Sequence, residues 1–173
     1  MKVRILKVST GELIDGVIRK GRPNELPSIQ TGWKFNFDKH IKRLSHATAY
    51  VLETSDNPGM MEGCLIFQMV GKVLPYMAFV EIAPHNRTEP KMYDYVGGCL
   101  IAFACRLSLT QGKEHHKGWL TFKVMEEHPE DQIKLMAVYS QKYGAVRVDE
   151  TTMLIGPENA QLLIQTYLER DSA

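Results

Sequence analysis

The stretch between residues 78 and 110 joins two apolar segments through a polar loop and a pair of glycines. The first segment, AFVEIA, is short and is bounded by a proline, which is typical of a strand end. The second, CLIAFACRLSLT, is apolar on nearly every face, as expected of a helix packed against a sheet. A further strand, GWLTFKV at 118–124, follows it. A strand, a helix and a second strand in this order predict a right-handed parallel connection.

The segments that precede this stretch predict an antiparallel meander. Alternating apolar and charged residues predict a strand over 2–8, and the glycines and prolines of 11–32 predict a short strand and a loop. Phe37, Ile41 and Leu44 share one helical face, with Asn36 or Asp38 as the capping residue. Three strands then follow with tight turns between them: TAYVLET, CLIFQMV and VLPYMAFVEIA.

The C-terminal third predicts two helices around a hairpin. Pro129 and Gly144 carry the start and stop signals of one helix. AVRVDE and TTMLIG predict the hairpin, and a final helix over 157–171 has an apolar stripe of Ala160, Leu163, Ile164 and Leu168. The elements together predict an α+β fold in three layers, with a mixed, mostly antiparallel sheet, a central parallel strand pair and flanking helices, in a single domain over 1–173.

Composition limits the function classes. With 173 residues, 44% of them hydrophobic, the chain can bury one ordinary core. A formal net charge of +1 gives no global field toward nucleic acid or a membrane. The three cysteines lie in apolar runs, so we expect reduced thiols and a cytoplasmic protein, and no segment predicts a membrane span. The adjacent histidines of KEHHK are typical of a solvated loop, so no metal site is predicted.

Gly97 and Gly98 lie where the second apolar segment begins its helix. The first turn of a helix presents unpaired N–H groups and the positive end of the helix dipole, which together can bind a phosphate. Glycines at this point remove the Cβ atoms that would hold a ligand away from the backbone. The alternative is that they only make a tight turn, because glycine-rich loops are weak motifs.

Two motifs resemble those of the GNAT superfamily of acetyl-CoA-dependent N-acetyltransferases. IAPHNR is similar to the V-x-P-x-x-R that ends a strand of that family, with YVGGCLIAFA in the place of its glycine-containing pyrophosphate loop and helix. VYSQKYGA is similar to the LYEKLGF-like end of a later family helix. The chain departs from the family where TEPKMYDYV separates Arg87 from Gly97, which aligns Tyr95 with a motif glycine and Met92 with the motif Arg or Gln.

The resemblance implies acetyl-CoA as co-substrate and assigns residues to it. Amides at the helix start would bind the pyrophosphate, and the strand end would bind the pantetheine arm as an added strand. One strand amide would also polarise the acetyl carbonyl. Arg87 would add charge, and Gln132 takes the place of an asparagine that contacts the arm. The implied cofactor-binding set is Ile82, Ala83, Arg87, Val96, Gly97, Gly98, Cys99 and Gln132.

The resemblance also implies the catalytic groups. Tyr139 matches the tyrosine that protonates the departing thiolate, and its alternative is a core aromatic. Glu81 interrupts an otherwise apolar strand and is the candidate base, since a buried carboxylate needs partners or a function. The alternative is that Glu81 fixes a neighbouring segment. His85 beside the same strand end is a rival base, because imidazole titrates near neutral pH.

The expected function is transfer of an acetyl group from acetyl-CoA to a small-molecule or peptide amine. The altered spacing after Arg87 favours a second hypothesis, a GNAT-shaped binding or regulatory module without turnover. A third is a toxin-like acetyltransferase that acts on aminoacyl-tRNA. The near-zero net charge disfavours this hypothesis, because nucleic acids bind most strongly to proteins with an excess of basic residues. The resemblance is compatible with a homodimer, and the sequence does not identify the acceptor.

Overall fold

The computed structural model describes residues 1–170, which contain a single nine-stranded sheet. Its strands are β1 Lys2–Lys7, β2 Glu12–Lys20, β3 Ala47–Thr54, β4 Met61–Val70, β5 Leu74–Ile82, β6 Tyr93–Asp94, β7 Leu120–Lys123, β8 Val146–Arg147 and β9 Thr152–Ile155. The order across the sheet is β6-β1-β2-β3-β4-β5-β7-β9-β8. Within the described range, β5 and β7 form the one parallel pair and the other neighbours are antiparallel. The predicted α+β fold class is therefore confirmed.

Four α-helices accompany the sheet in the described part of the chain. They are α1 Phe37–Arg43, α2 Val96–Gln111, α3 Pro129–Tyr143 and α4 Pro157–Leu168. Short 3-10 turns lie at Ile29–Thr31, Pro84–Asn86 and Glu114–His116. The predicted start of α3 at Pro129 and its end before Gly144 are confirmed. Asn36 does precede α1, but it makes no side-chain cap, and its Oδ1 accepts the N–H of Ile29 at 3.0 Å instead.

The helices are divided between the two faces of the sheet. One face, the α2 face, buries side chains of α2, α3 and α4 against β4, β5, β7 and β9. The other, the α1 face, carries a smaller cluster in which Trp33 and Phe37 pack against Cys64 and Ile66 of β4. Gly63 permits the close approach of α2, because a Cβ there would lie 2.6 Å from Leu100 Cδ1.

The helix predicted over 157–171 ends at Leu168, and residue 171 lies outside the described residues. In three places the sheet contains strand pairing that the sequence did not predict. β2 is a nine-residue strand rather than a short one, and Gly16 pairs within it with both Val3 and Thr54. β4 begins at Met61 rather than Cys64, so that the charged Glu62 belongs to the strand. The loop before α2 contains β6, which pairs with β1. Each difference arises from pairing with a distant strand, which local patterns do not show.

Candidate active site at the β5–β7 gap

The parallel strands β5 and β7 separate soon after they meet. Their pairing covers two positions, Tyr76 with Thr121 and Met77 with Phe122. Beyond these, β5 continues to Ile82, whereas β7 ends at Lys123. The N–H of Val124 is already bonded to the carbonyl of Thr151, at 2.7 Å. The edge of β5 that faces β7 therefore loses its partner strand, and a gap opens.

The amides at the end of β5 have different partners. The N–H of Ala83 donates to the carbonyl oxygen of Glu62 on β4, at 2.8 Å. Successive N–H groups of an extended strand point to opposite edges. The N–H of Ile82 therefore points toward the gap. The role of Ile82 as a donor toward a ligand stays a prediction, whereas Ala83 cannot donate its N–H to a ligand, because that amide is already used in the sheet.

The start of α2 lies on the α2 face beside this gap. Tyr95, which precedes the helix, has the left-handed backbone conformation (φ 73°) and makes no side-chain cap hydrogen bond. This is the position that aligned with a motif glycine, and the observed φ is one that glycine adopts readily. Cys99 donates its N–H to the carbonyl of Tyr95 at 2.9 Å, so its predicted role as a free donor is wrong. The amides of Val96, Gly97 and Gly98 precede the first internal bond of the helix.

The two glycines of α2 serve different purposes. A Cβ at Gly98 would lie 2.1 Å from Cε1 of Tyr167, so this glycine lets α4 approach α2. The prediction that both glycines make room for a ligand is thus wrong for Gly98. A Cβ at Gly97 would meet Ile82 Cγ2 and the Tyr143 hydroxyl, each at an ordinary contact distance of 3.6 Å. Gly97 therefore faces the space between β5 and α3.

A row of aromatic rings runs past the start of α2. Its members, in spatial order, are Phe122, Tyr139, Tyr143, Tyr167 and Tyr95, with successive ring centroids between 4.9 and 6.3 Å apart. The guanidinium of Arg170 stacks on the last ring, 3.7 Å from its centroid. The row links α3 to α4 around the glycine turn. A ligand at the turn would therefore contact tyrosines that the chain itself supplies.

Tyr139 packs on Phe122, at the last paired position of β5 and β7. Burial, reinforced by the negative charge of Glu126, raises the pKa of Tyr139 to about 12. The phenol consequently keeps its proton at neutral pH. The predicted position of Tyr139 close to the gap fits this arrangement, whereas its role as an acid stays a prediction.

Glu81 is buried on the α1 face and its two oxygens accept three hydrogen-bond or ionic contacts. Oε2 accepts the N–H of Lys34 at 2.7 Å and lies 3.1 Å from Nη1 of Arg87, while Oε1 accepts the N–H of Phe35 at 3.0 Å. Lys34 also pairs with Glu126 beyond β7, at 2.8 Å. The segment 33–37 therefore spans the gap on the α1 face, and Glu81 anchors it. Both oxygens of Glu81 are thus occupied within the protein, and its role as a base stays a prediction.

The two remaining predicted ligand residues also bind the protein itself. Arg87 contacts Glu81 and the carbonyl of Gly32, the latter at 3.2 Å, and so lies on the α1 face rather than with α2. Gln132 donates to the carbonyl of Glu150 at 2.8 Å and accepts the N–H of Glu126 at 3.4 Å. Because these side chains hold loops in place, the structure does not bring them to the amides of α2.

Comparisons with known proteins identify the fold. No protein-family model matches the chain, and no curated protein matches it at a significant level. Several solved structures, in contrast, match the chain. A mutant of the spermidine N-acetyltransferase SpeG from Vibrio cholerae superposes with a TM-score of 0.56 at 16% identity, over 84% of this chain and 95% of that one. Ard1 from Thermoplasma volcanium gives 0.54 at 16% identity, over 82% and 97%. AtaTR bound with AcCoA gives 0.55 at 14% identity, over 86% and 98%.

The chain has the GNAT fold. This confirms the fold that the resemblance of the IAPHNR and YVGG motifs implied. Of the residues that the resemblance assigned, the GNAT fold here brings Ile82, Gly97 and Tyr139 to the gap between β5 and β7 or to its border. Arg87 and Gln132 lie outside this group. Among residues 1–170, no helix is long and apolar enough to cross a membrane, and no cluster of three or more His, Cys, Asp or Glu side chains could hold a metal ion.

Sequence reasoning missed three residues of this candidate site. Tyr143 and Tyr167 border the glycine turn, and Glu62 lies fully buried beside the end of β5. Tyr167 lies seven positions after Ala160, so helical spacing could have placed it in the stripe of α4 instead of Leu168. Glu62 shares the alternation of Cys64 and Ile66, which could have assigned it to the α1 face.

Proposed function

We propose that this protein is an N-acetyltransferase that transfers an acetyl group from acetyl-CoA to a primary amine by direct attack. The observation that carries the proposal is the gap between β5 and β7, which opens beside the unbonded amides of α2 in a GNAT fold. Exposed strand edges accept an extended ligand as an added strand, and helix starts accept phosphates. The two features adjoin here as an acyl-pantetheine diphosphate would require.

The residues at the gap fit such a co-substrate. The amides of Val96, Gly97 and Gly98 would hold the diphosphate, and Gly97 leaves the space toward Ile82 and Tyr143 free of a side chain. The N–H of Ile82 would polarise the thioester carbonyl, since a preorganised donor stabilises the oxyanion that forms there. A second element, the segment 33–37, limits access of water from the α1 face.

Tyr139 is the general acid of the proposed reaction. Its phenol keeps its proton at neutral pH, because burial raises its pKa to about 12. When the amine attacks, the C–S bond breaks and the leaving thiolate takes that proton. Negative charge at Glu126 disfavours the tyrosinate, which helps to return the phenol to its protonated form.

The acceptor is assigned only as a primary amine. The solved structures that share the fold include a spermidine N-acetyltransferase and a toxin bound to its antitoxin, so similar chains differ in partner. The fold is common to these proteins, and in this chain the segment 33–37, which borders the gap on the α1 face, would contact an acceptor. A panel of primary amines in a free-thiol release assay would identify the class.

Acetyl-CoA is expected to stabilise the folded protein. At 100 times its dissociation constant a ligand raises the free energy of unfolding by about 2.7 kcal/mol, which a thermal shift assay detects. Gly97→Ala is the matched variant: its Cβ fits at 3.6 Å from its neighbours, so the unliganded protein should melt no lower than the wild type. Its shift with acetyl-CoA should be smaller, because the added methyl group lies where the ligand approaches. Absence of any shift in the wild type would exclude acetyl-CoA as the co-substrate.

Tyr139→Phe is expected to keep acetyl-CoA binding and to lose turnover by about tenfold or more, because the thiolate would leave without its proton donor. Thiol release and the thermal shift measure the two effects separately. Tyr50→Phe is the control, since Tyr50 packs on Phe103 of α2 away from the gap. Unchanged turnover would remove Tyr139 from the mechanism, and a wild type that binds acetyl-CoA without turnover would be a binding module instead.

A further inference from the structure

A fully buried carboxylate lies at the end of β5, and no step of the proposed mechanism uses it. Glu62 of β4 has no exposed surface. Its Oε2 lies 2.5 Å from Nε2 of His85 and accepts Nδ2 of Asn86 at 2.8 Å. Its Oε1 has no hydrogen-bond partner within residues 1–170. Such burial is costly for a carboxylate, so its retention calls for a functional explanation.

The turn that carries His85 is held rigidly. Pro84 begins the 3-10 turn, and the N–H of Asn86 donates to Ala83 at 2.9 Å. Asn86 is itself buried, and its Oδ1 accepts the N–H of Tyr93 at 3.0 Å. The His85 side chain, in contrast, keeps 32% of its surface exposed while Glu62 beneath it keeps none. The imidazole therefore lies at the boundary between the buried carboxylate and solvent.

The contact with Glu62 determines which nitrogen of His85 can accept a proton. A carboxylate accepts hydrogen bonds, so the Nε2 that faces it carries hydrogen in the neutral ring. Nδ1 then carries the lone pair. A second group that fixes the tautomer and orientation of a histidine is the usual arrangement of an activated base.

We propose that His85 is the general base of the acetyl transfer and that Glu62 is the residue that positions it. The inference rests on the proposed function. His85 lies in the turn directly after β5, three residues beyond Ile82, whose amide is directed into the gap. Glu81, the rival base, already anchors the segment 33–37 through both oxygens.

The substrate ammonium gives one proton to Nδ1 of His85, directly or through one water, and the freed lone pair forms the N–C bond to the acetyl carbon. The nitrogen of the adduct gives its second excess proton to solvent as the C–S bond breaks, and the thiolate takes the proton of Tyr139. The tyrosinate then regains a proton from solvent and His85 releases its own, so that one proton in net passes to solvent in each turnover. Glu62 keeps its contact with Nε2 throughout.

The pH dependence of this step follows from the charges around His85. The charged group in contact with His85 is Glu62 on β4, and the ion pair of Glu81 in β5 with Arg87 flanks the turn in the chain. Protonated His85 cannot accept the substrate proton, so turnover should fall toward acidic pH. Glu62→Gln should lower kcat/KM and change the tautomer of His85, because a neutral amide can either donate or accept a hydrogen bond and no longer selects the ring nitrogen that carries hydrogen.

The test combines one spectroscopic and one kinetic measurement on the full chain. Nitrogen NMR of the imidazoles in the unliganded wild type should show His85 with hydrogen on Nε2, and the opposite tautomer would overturn the proposal without any variant or turnover. In the thiol-release assay, His85→Gln should lower kcat/KM by about 100-fold at neutral pH and abolish the acidic limb, with the acetyl-CoA thermal shift retained. His115→Gln, in the exposed turn before β7, is the matched control and should match the wild type.

The outcomes separate this inference from the proposed function. An active wild type whose His85→Gln variant keeps its rate and acidic limb would overturn the base role alone. A wild type that neither binds acetyl-CoA nor releases thiol with any amine would overturn the function and the base role together. A Glu62→Gln variant that loses stability but keeps the wild-type tautomer of His85 and the wild-type kcat/KM would overturn the positioning role of Glu62.

Discussion

Gly98→Ala is expected to lower the free energy of unfolding by about 2–3 kcal/mol, the upper part of the range of about 1–3 kcal/mol that is typical of overpacking in a buried contact. The new Cβ would lie 2.1 Å from Cε1 of Tyr167 and 2.5 Å from its Cδ1 and Cζ. The ring cannot move away freely, because it is buried between Tyr143 and Tyr95. Urea denaturation at neutral pH measures the loss, which exceeds the small gain in helix propensity from glycine to alanine.

Gly97→Ala provides the comparison for this result. It makes the same chemical change one residue earlier in α2, with its nearest neighbours at 3.6 Å, and it should leave stability equal or slightly higher. Removing the opposing ring should relieve the clash, so Gly98→Ala should cost much less in a Tyr167→Leu background. An equal effect of both alanine variants in the wild-type background would show that α4 does not pack on Gly98.

We expect the free energy of unfolding to fall steeply at alkaline pH. The fall should begin near pH 9, where the thiols of the unfolded chain ionise. Burial raises the pKa of Cys99 and of Cys105 from 9.0 to about 12, and it raises the pKa of Cys64 as well. In the unfolded chain these thiols ionise near their ordinary value, whereas in the fold they stay neutral. The stability is therefore intact below pH 9 and is lost as the pH rises toward 12.

The size of this loss follows from proton linkage. At pH 10 each thiol that stays neutral only in the fold lowers the free energy of unfolding by about 1.4 kcal/mol, and three lower it by about 4 kcal/mol relative to pH 8. Denaturant titrations at the two pH values, with reductant present, measure it. Cys105→Ala should reduce the difference in the free energy of unfolding between the two pH values by about 1.4 kcal/mol, whatever it costs at pH 8. Equal stability at both pH values would show that the thiols ionise in the native state.

The fold was predicted from the residues that begin and end helices and strands. Pro129 and Gly144 bound α3 as expected, and the connection through α2 gave the parallel pair of β5 and β7. These features are local or follow from the handedness of chain connections, so they can be recognised without coordinates. The motif IAPHNR located the strand end for the same reason, since proline and the strand pattern both act over a few residues.

The roles of individual side chains were decided by contacts between distant segments. The sequence of its own strand makes Glu81 a candidate base. Its oxygens, however, accept hydrogen bonds from the N–H groups of Lys34 and Phe35, which lie far from it in the chain. The sequence assigned no role to Glu62, because the predicted strand begins at Cys64, whereas β4 extends back to Met61 and brings Glu62 next to the turn that carries His85. Gly98 was expected to make room for a ligand, but α4 places Tyr167 where its side chain would lie.

The order and type of elements were thus determined by the sequence itself, because hydrophobic periodicity and turn chemistry act between near neighbours. Only the tertiary structure decided which polar groups remain free, because a hydrogen bond to a remote backbone amide leaves no pattern in the chain. In this protein such hydrogen bonds occupy the amides of Ala83 and Cys99 and both oxygens of Glu81. The pair formed by Glu62 and His85 is therefore the candidate base at the end of β5.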